Sequence, residues 1–117
     1  MKLKDVVAAL GLQVRSGLDK LEREVRGGYA SDLLSDVMAH TKAGDLWITL
    51  QVHLNIVAVA TLNDLAAIVL VNGREPEGST LSKAEAEGVP LLVSSRPTFE
   101  VVGRLYEMGI RGGDEPS

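Results

Sequence analysis

Four short segments of the chain carry most of the side chains able to do chemistry. Ser94-Ser95-Arg96-Pro97-Thr98 gathers three hydroxyls and a guanidinium around a proline. Proline suits the first helical position, and a helix opening there would present free backbone N–H groups to an anion. Asn72-Gly73-Arg74 adds an amide and a second guanidinium. Gln51 and His53 form a third group, and Gly27-Gly28, followed by Tyr29 and Ser31, forms a glycine-rich fourth. The turn with Ser94, Ser95, Arg96 and Thr98 is the better anion seat. At Gly27-Gly28, Asp32 is expected in the first turn of the following helix, where it would compete for the same partial positive charge.

Catalysis finds less support in these residue types. His53 can titrate near neutral pH. No cysteine occurs anywhere, and no acid or second histidine lies near it between Asp45 and Asp64. It therefore reads as a hydrogen-bonded or packing histidine, not a general base or metal ligand. His40 fits a helix C-terminus, where a cation is tolerated. Thr49 and Ser31 lack a visible base, so neither reads as a nucleophile. The expectation is a protein with no catalytic residues, no metal site and no cofactor.

The elements that must position these groups follow from apolar spacing. Leu3, Val6, Val7 and Leu10 recur at helical intervals before Gly11. Residues 25–29 carry glycines suited to a strand end or tight turn. Ser31 offers an N-cap for a helix whose apolar positions are Leu33, Leu34, Val37 and Met38. Residues 46–50 and 65–71 read as buried central strands, and 54–62 between them as a crossover helix. Ser82-Lys83-Ala84-Glu85 resembles a capping box opening a short polar helix, and residues 89–93 supply another strand. Phe99, Val102, Leu105 and Tyr106 or Met108 make the apolar stripe of a last helix ending at Gly109.

Alternation of strand and helix predicts one three-layer α/β domain over residues 1–110, with a mainly parallel sheet, right-handed crossover helices and a loose tail at 111–117. In such a sheet every strand C-terminus lies on one edge, where ligands of open α/β folds bind. The segments read as following the strands are those singled out above, so they should converge there. The helix at 54–62 is apolar on nearly every side, so either the first helix or a second copy of the chain should cover its outer face.

Composition narrows the partners. The 117 residues suffice for one domain, and 45% hydrophobic with 24% charged residues is ordinary for a globular chain. A net charge of -4 and only four aromatic residues disfavour nucleic acid and anionic membrane as partners. The missing cysteines and signal peptide fit cytoplasmic residence. Residues 1–58 hold seven basic against seven acidic side chains, and 59–117 hold five against nine. The first half is the easier one to bury in an interface.

Three stretches together resemble the DRTGG domain family: Gly27-Gly28-Tyr29-Ala30-Ser31-Asp32-Leu33-Leu34-Ser35-Asp36-Val37-Met38, Gly44-Asp45-Leu46-Trp47-Ile48-Thr49-Leu50-Gln51, and Leu70-Val71-Asn72-Gly73-Arg74-Glu75-Pro76. That family is found beside CBS domains in regulated pyrophosphatases and is related to the N-terminal domain of HPr kinase. The resemblance implies a regulatory or dimer-forming module with no catalytic residues. Residues and resemblance together give the expectation of a non-catalytic, homodimeric sensor of a small anionic ligand, an adenine nucleotide being favoured. The alternative is a pure interaction module serving a redox or phosphate-metabolising partner enzyme.

Overall fold

Side chains that alternate between two faces, all of them apolar, need cover on both sides of a sheet. The computed structural model, which describes residues 1–112, shows this arrangement. Strands β3 (Asp45–Thr49), β4 (Ala67–Leu70) and β5 (Leu91–Val93) are buried at every position. They form the centre of a five-stranded sheet of order β1-β5-β4-β3-β2, with β1 at Gln13–Ser16 and β2 at Gly27–Ala30. Pairing is parallel from β2 through β5, and β1 joins β5 antiparallel with an irregularity between Val14 and Ser16.

Helices α1 (Leu3–Leu10) and α5 (Thr98–Glu107) cover one face, packing Leu3, Val6, Leu10, Val101 and Leu105 onto Leu46, Ile48, Val69 and Leu92. Helices α2 (Leu34–His40), α3 (Asn55–Leu62) and α4 (Gly78–Glu87) cover the other, around Trp47, Ile68, Leu70 and Leu91. The class is three-layer α/β, as the alternation predicts.

Several local expectations give way to tertiary contacts. Helix α2 starts at Leu34, so Asp32 precedes it and Ser31 does not cap it in the expected register; the Ser31 hydroxyl accepts the Leu33 N–H at 3.2 Å. Helix α4 starts at Gly78, four residues before the supposed capping box, and Ser82 lies inside it. The reason is long-range: the buried Thr80 hydroxyl donates to the Val52 carbonyl at 2.8 Å and the Glu77 N–H donates to the same oxygen, fixing the first turn from outside. Pro97 immediately precedes α5 instead of opening it.

Helix α3 is not covered by the first helix, one of the two expected covers. Helix α1 lies on the opposite face of the sheet, and α2 and α4 flank α3 instead. Ile56, Val57, Val59 and Ala60 are thereby buried, while Leu54, Ala58, Thr61 and Leu62 stay exposed. Of the expected tail at 111–117, the first two residues are described. The Gly28 N–H donates to the Arg111 carbonyl at 3.1 Å, and the Arg111 guanidinium sits 3.7 Å from the centre of the Tyr106 ring. Residues 113–117 lie outside the described residues.

Candidate functional site

The parallel register fixes the rim. Ala30 lies beside Ile48, Thr49 beside Leu70, and Leu70 beside Val93, so the chain leaves all four parallel strands at one level. Ser31, the 50–53 segment, the 72–74 turn and the 94–98 turn therefore share one edge. Gly27 and Gly28 do not. They open β2 instead of closing it, Gly27 pairing with Asp45 at the start of β3. Gly27 has a packing reason to be glycine: a Cβ there would fall 2.7 Å from Asp45 Oδ1 and 2.8 Å from the Arg111 carbonyl oxygen. The expected glycine-rich anion turn is thus at the opposite end of the sheet from the other candidates.

At the β4/β5 end of the rim, two turns are stapled together. Asn72 takes a left-handed conformation (φ 57°), and its N–H donates to the Arg96 carbonyl at 2.9 Å. The Gly73 N–H donates to the Ser94 carbonyl at 2.8 Å. Ser94 is buried, and its hydroxyl accepts the Arg96 N–H at 3.1 Å. The Arg96 side chain turns away, donating from Nη1 to the Leu10 carbonyl at 2.7 Å, where a cation complements the C-terminus of α1. The segment after Arg74 is pinned from β1: Arg15 Nε and Nη2 reach the two Glu75 oxygens at 2.7 and 2.8 Å. That bidentate bond holds the Glu75 carboxyl below its ordinary value. The side chains of Arg74, Ser95 and Thr98 have no hydrogen-bond or ionic partner among the described residues.

The β2/β3 end is built around a residue that spacing alone did not single out for the site. Asp32 Oδ1 accepts both the Thr49 hydroxyl at 2.8 Å and the Leu50 N–H at 2.7 Å. The Gln51 amide closes the loop, donating to the Asp32 carbonyl at 3.0 Å. An Asp directly after a strand can bond to backbone instead of joining a helix, and that is the signal that could have marked it. His53 finds an acid that is distant in sequence: its Nδ1 lies 2.7 Å from Glu77 Oε2, just ahead of α4.

A second polar cluster lies on the α2 side. The Tyr29 hydroxyl donates to Asp36 Oδ2 at 2.7 Å, and His40 Nδ1 lies 3.0 Å from Asp36 Oδ1. The Tyr29 and His40 rings stack at 6.0 Å. The Tyr29 hydroxyl, and secondarily that of Ser31, hold the Asp36 carboxyl below its ordinary value; the same bond pushes the Tyr29 phenol up. Trp47 is fully buried, its indole N–H donating to the Ser31 carbonyl at 2.8 Å.

Chemically, the rim offers acceptors at one end and donors at the other. Asp32 and the Glu77–His53 pair lie toward α2 and α3, while Arg74, Ser95, Thr98 and the first N–H groups of α5 lie at the β4/β5 end. No hydroxyl is hydrogen-bonded to His53 among the described residues. No described group of three or more His, Asp or Glu side chains is placed to hold a metal, and no described helix is long and apolar enough to cross a membrane.

The fold is shared with a solved structure, the CBS and DRTGG domains of the regulatory region of Clostridium perfringens pyrophosphatase complexed with an activator, diadenosine tetraphosphate. The likeness covers 97% of this chain and 51% of that one, with a TM-score of 0.73 at 10% sequence identity. This chain thus spans about half of that regulatory region. No curated protein sequence matches it. The model of the DRTGG domain matches residues 5–108, nearly the whole length. The chain belongs to the DRTGG domain family.

Proposed function

We propose that the chain is a non-catalytic regulatory module that works as a homodimer and senses a small anionic ligand at the β4/β5 end of the rim. The observation that carries this reading is the convergence of Arg74, Ser95 and Thr98 beside the N-terminus of α5. Their side chains have no hydrogen-bond or ionic partner among the described residues, although the turns that bear them are held by Asn72–Arg96, Gly73–Ser94 and Arg15–Glu75 bonds. Turns whose backbone is already fixed bind anions at a lower cost in ordering than mobile loops do. An adenine nucleotide is favoured because the pyrophosphatase regulatory region that shares this fold is complexed with diadenosine tetraphosphate. Ser94, Arg96, Asn72, Gln51 and His53 serve as the frame, and Gly27 and Gly28 take no part.

Calorimetric titration with ATP, AMP and inorganic phosphate tests this. Saturable heat is expected, and Arg74→Ala should weaken binding by about 1.5–3 kcal/mol, the range of a hydrogen bond to a charged group. Absence of heat at millimolar ligand would remove the sensing role. A second reading, an accessory that docks on a partner enzyme, draws on the exposed apolar side chains of α5, Phe99, Val102 and Tyr106. A partner enzyme captured equally well by Phe99→Ser would count against it.

A further inference from the structure

The outer side of α5 is the least explained surface of the molecule. Phe99 is 87% exposed, Tyr106 58% and Val102 39%, at helical spacing on one side of the helix. Beside them a mainly apolar hollow opens between α5 and the outer edge of β2, lined by Ala30, Ile48, Val102, Leu105, Ile110 and Tyr106, with the Arg111 guanidinium against one face of the Tyr106 ring. Gly103 sits in the middle of the same side. A Cβ there would meet nothing within 4 Å, so nothing inside the chain requires a glycine, which costs an exposed helix about 1 kcal/mol relative to alanine. Glu100, Arg104 and Glu107 flank the side, and none has an ionic partner among the described residues.

We infer that this side of α5 is the interface at which a second copy of the chain docks, the two α5 helices running antiparallel across a two-fold axis near Val102 and Gly103. A two-fold interface must be self-complementary, each patch carrying both halves of every contact. This patch does. An antiparallel pairing centred there sets Phe99 against Tyr106 of the second copy, at the mouth of the hollow, and brings Glu100 toward Arg104 of the second copy. It does so twice. The charges therefore complement each other although the chain's net charge is -4, and Gly103 lets the backbones approach. The inference rests on the homodimer reading above and names its surface. That surface lies in the acidic second half of the chain, not the first.

Sedimentation of the full chain across a hundredfold range of concentration, with variants checked by circular dichroism, tests the assignment. The wild type should sediment at twice the 12.5 kDa chain mass. Phe99→Glu should raise the dimer dissociation constant roughly thirtyfold or more, as loss of a buried aromatic anchor does. Gly103→Leu should do likewise without unfolding the chain, and Leu62→Glu, on the exposed stripe of α3, should leave the dimer intact. Glu100→Arg should weaken the dimer, and adding Arg104→Glu should restore it. A wild type of single-chain mass throughout would overturn the homodimer reading itself. A dimer that survives Phe99→Glu but is split by Leu62→Glu would overturn only the assignment to α5 and move the interface to α3.

Discussion

The rim of the sheet and the outer side of α5 use their residues in opposite ways. At the rim, side chains that look like ligand donors are mostly committed to one another or to backbone: Asp32 to Thr49 and Leu50, Gln51 to Asp32, His53 to Glu77, Arg96 to the end of α1. On α5, Phe99, Val102, Glu100 and Arg104 have no hydrogen-bond or ionic partner among the described residues, and Tyr106 is met only by the Arg111 guanidinium. The lesson is that residue type marks where polar groups gather, but only partner bookkeeping separates frame from available surface. What stays available at the rim is Arg74, Ser95 and Thr98.

Frame and surface should respond differently to substitution. Asp32→Ala should have the largest effect, about 2–3 kcal/mol in denaturant unfolding, because it removes the carboxylate accepting two bonds from the β3 end. A loss under 0.5 kcal/mol would mean that Asp32 belongs with the available groups. Arg96→Ala should cost about 1 kcal/mol, since the guanidinium complements a helix C-terminus from a half-buried position. Arg74→Ala should leave stability within about 0.5 kcal/mol of wild type, as an exposed side chain without a partner does. If Arg74 proved as costly as Arg96, the distinction between the two arginines would collapse.

On the α5 side the sign reverses. At concentrations low enough to keep the chain monomeric, Gly103→Ala should raise its thermal stability by up to about 1 kcal/mol, because the site is open and alanine favours helix. A destabilised monomer would reveal an internal reason for the glycine. The smallest effect concerns pH. Bonds from Lys2 and Lys4 hold the exposed Glu22 carboxyl at about 2, tying the loop after the 3-10 turn Leu18–Lys20 to α1. A carboxyl held low in the folded state stabilises above its ordinary range, and that contribution fades as pH falls toward about 2. Wild type and Glu22→Gln should therefore differ slightly in melting temperature at neutral pH and converge in acid.

Much of the fold was legible because burial imposes periodicity. Leu3, Val6 and Leu10 on α1 and the all-buried run in β3 lie where spacing puts them, but on α5 the expected stripe is turned: Leu105 is buried, whereas Phe99, Val102 and Tyr106 are exposed and Val101 takes the core position. Strand direction was not legible: nothing local to Gln13–Ser16 distinguishes an antiparallel edge strand, which is set by pairing with β5. Nor was the start of α4, where Gly78-Ser79-Thr80 has loop composition and becomes helical through the Thr80 bond to Val52. Within the site, shared placement of the 50–53, 72–74 and 94–98 segments followed from topology. The misplacement of Gly27-Gly28 came from reading glycines as a strand end, when they open β2 and Gly27 is required by close contact with Asp45 and Arg111.

Amide chemical-shift mapping during titration with an adenine nucleotide tests the central claim most directly. Saturable shifts concentrated at Asn72-Gly73-Arg74 and at Ser95 through Phe99, with Gly27 and Gly28 unmoved, are the predicted result. No shift at millimolar nucleotide, or shifts centred on Gly27 and Gly28, would contradict it.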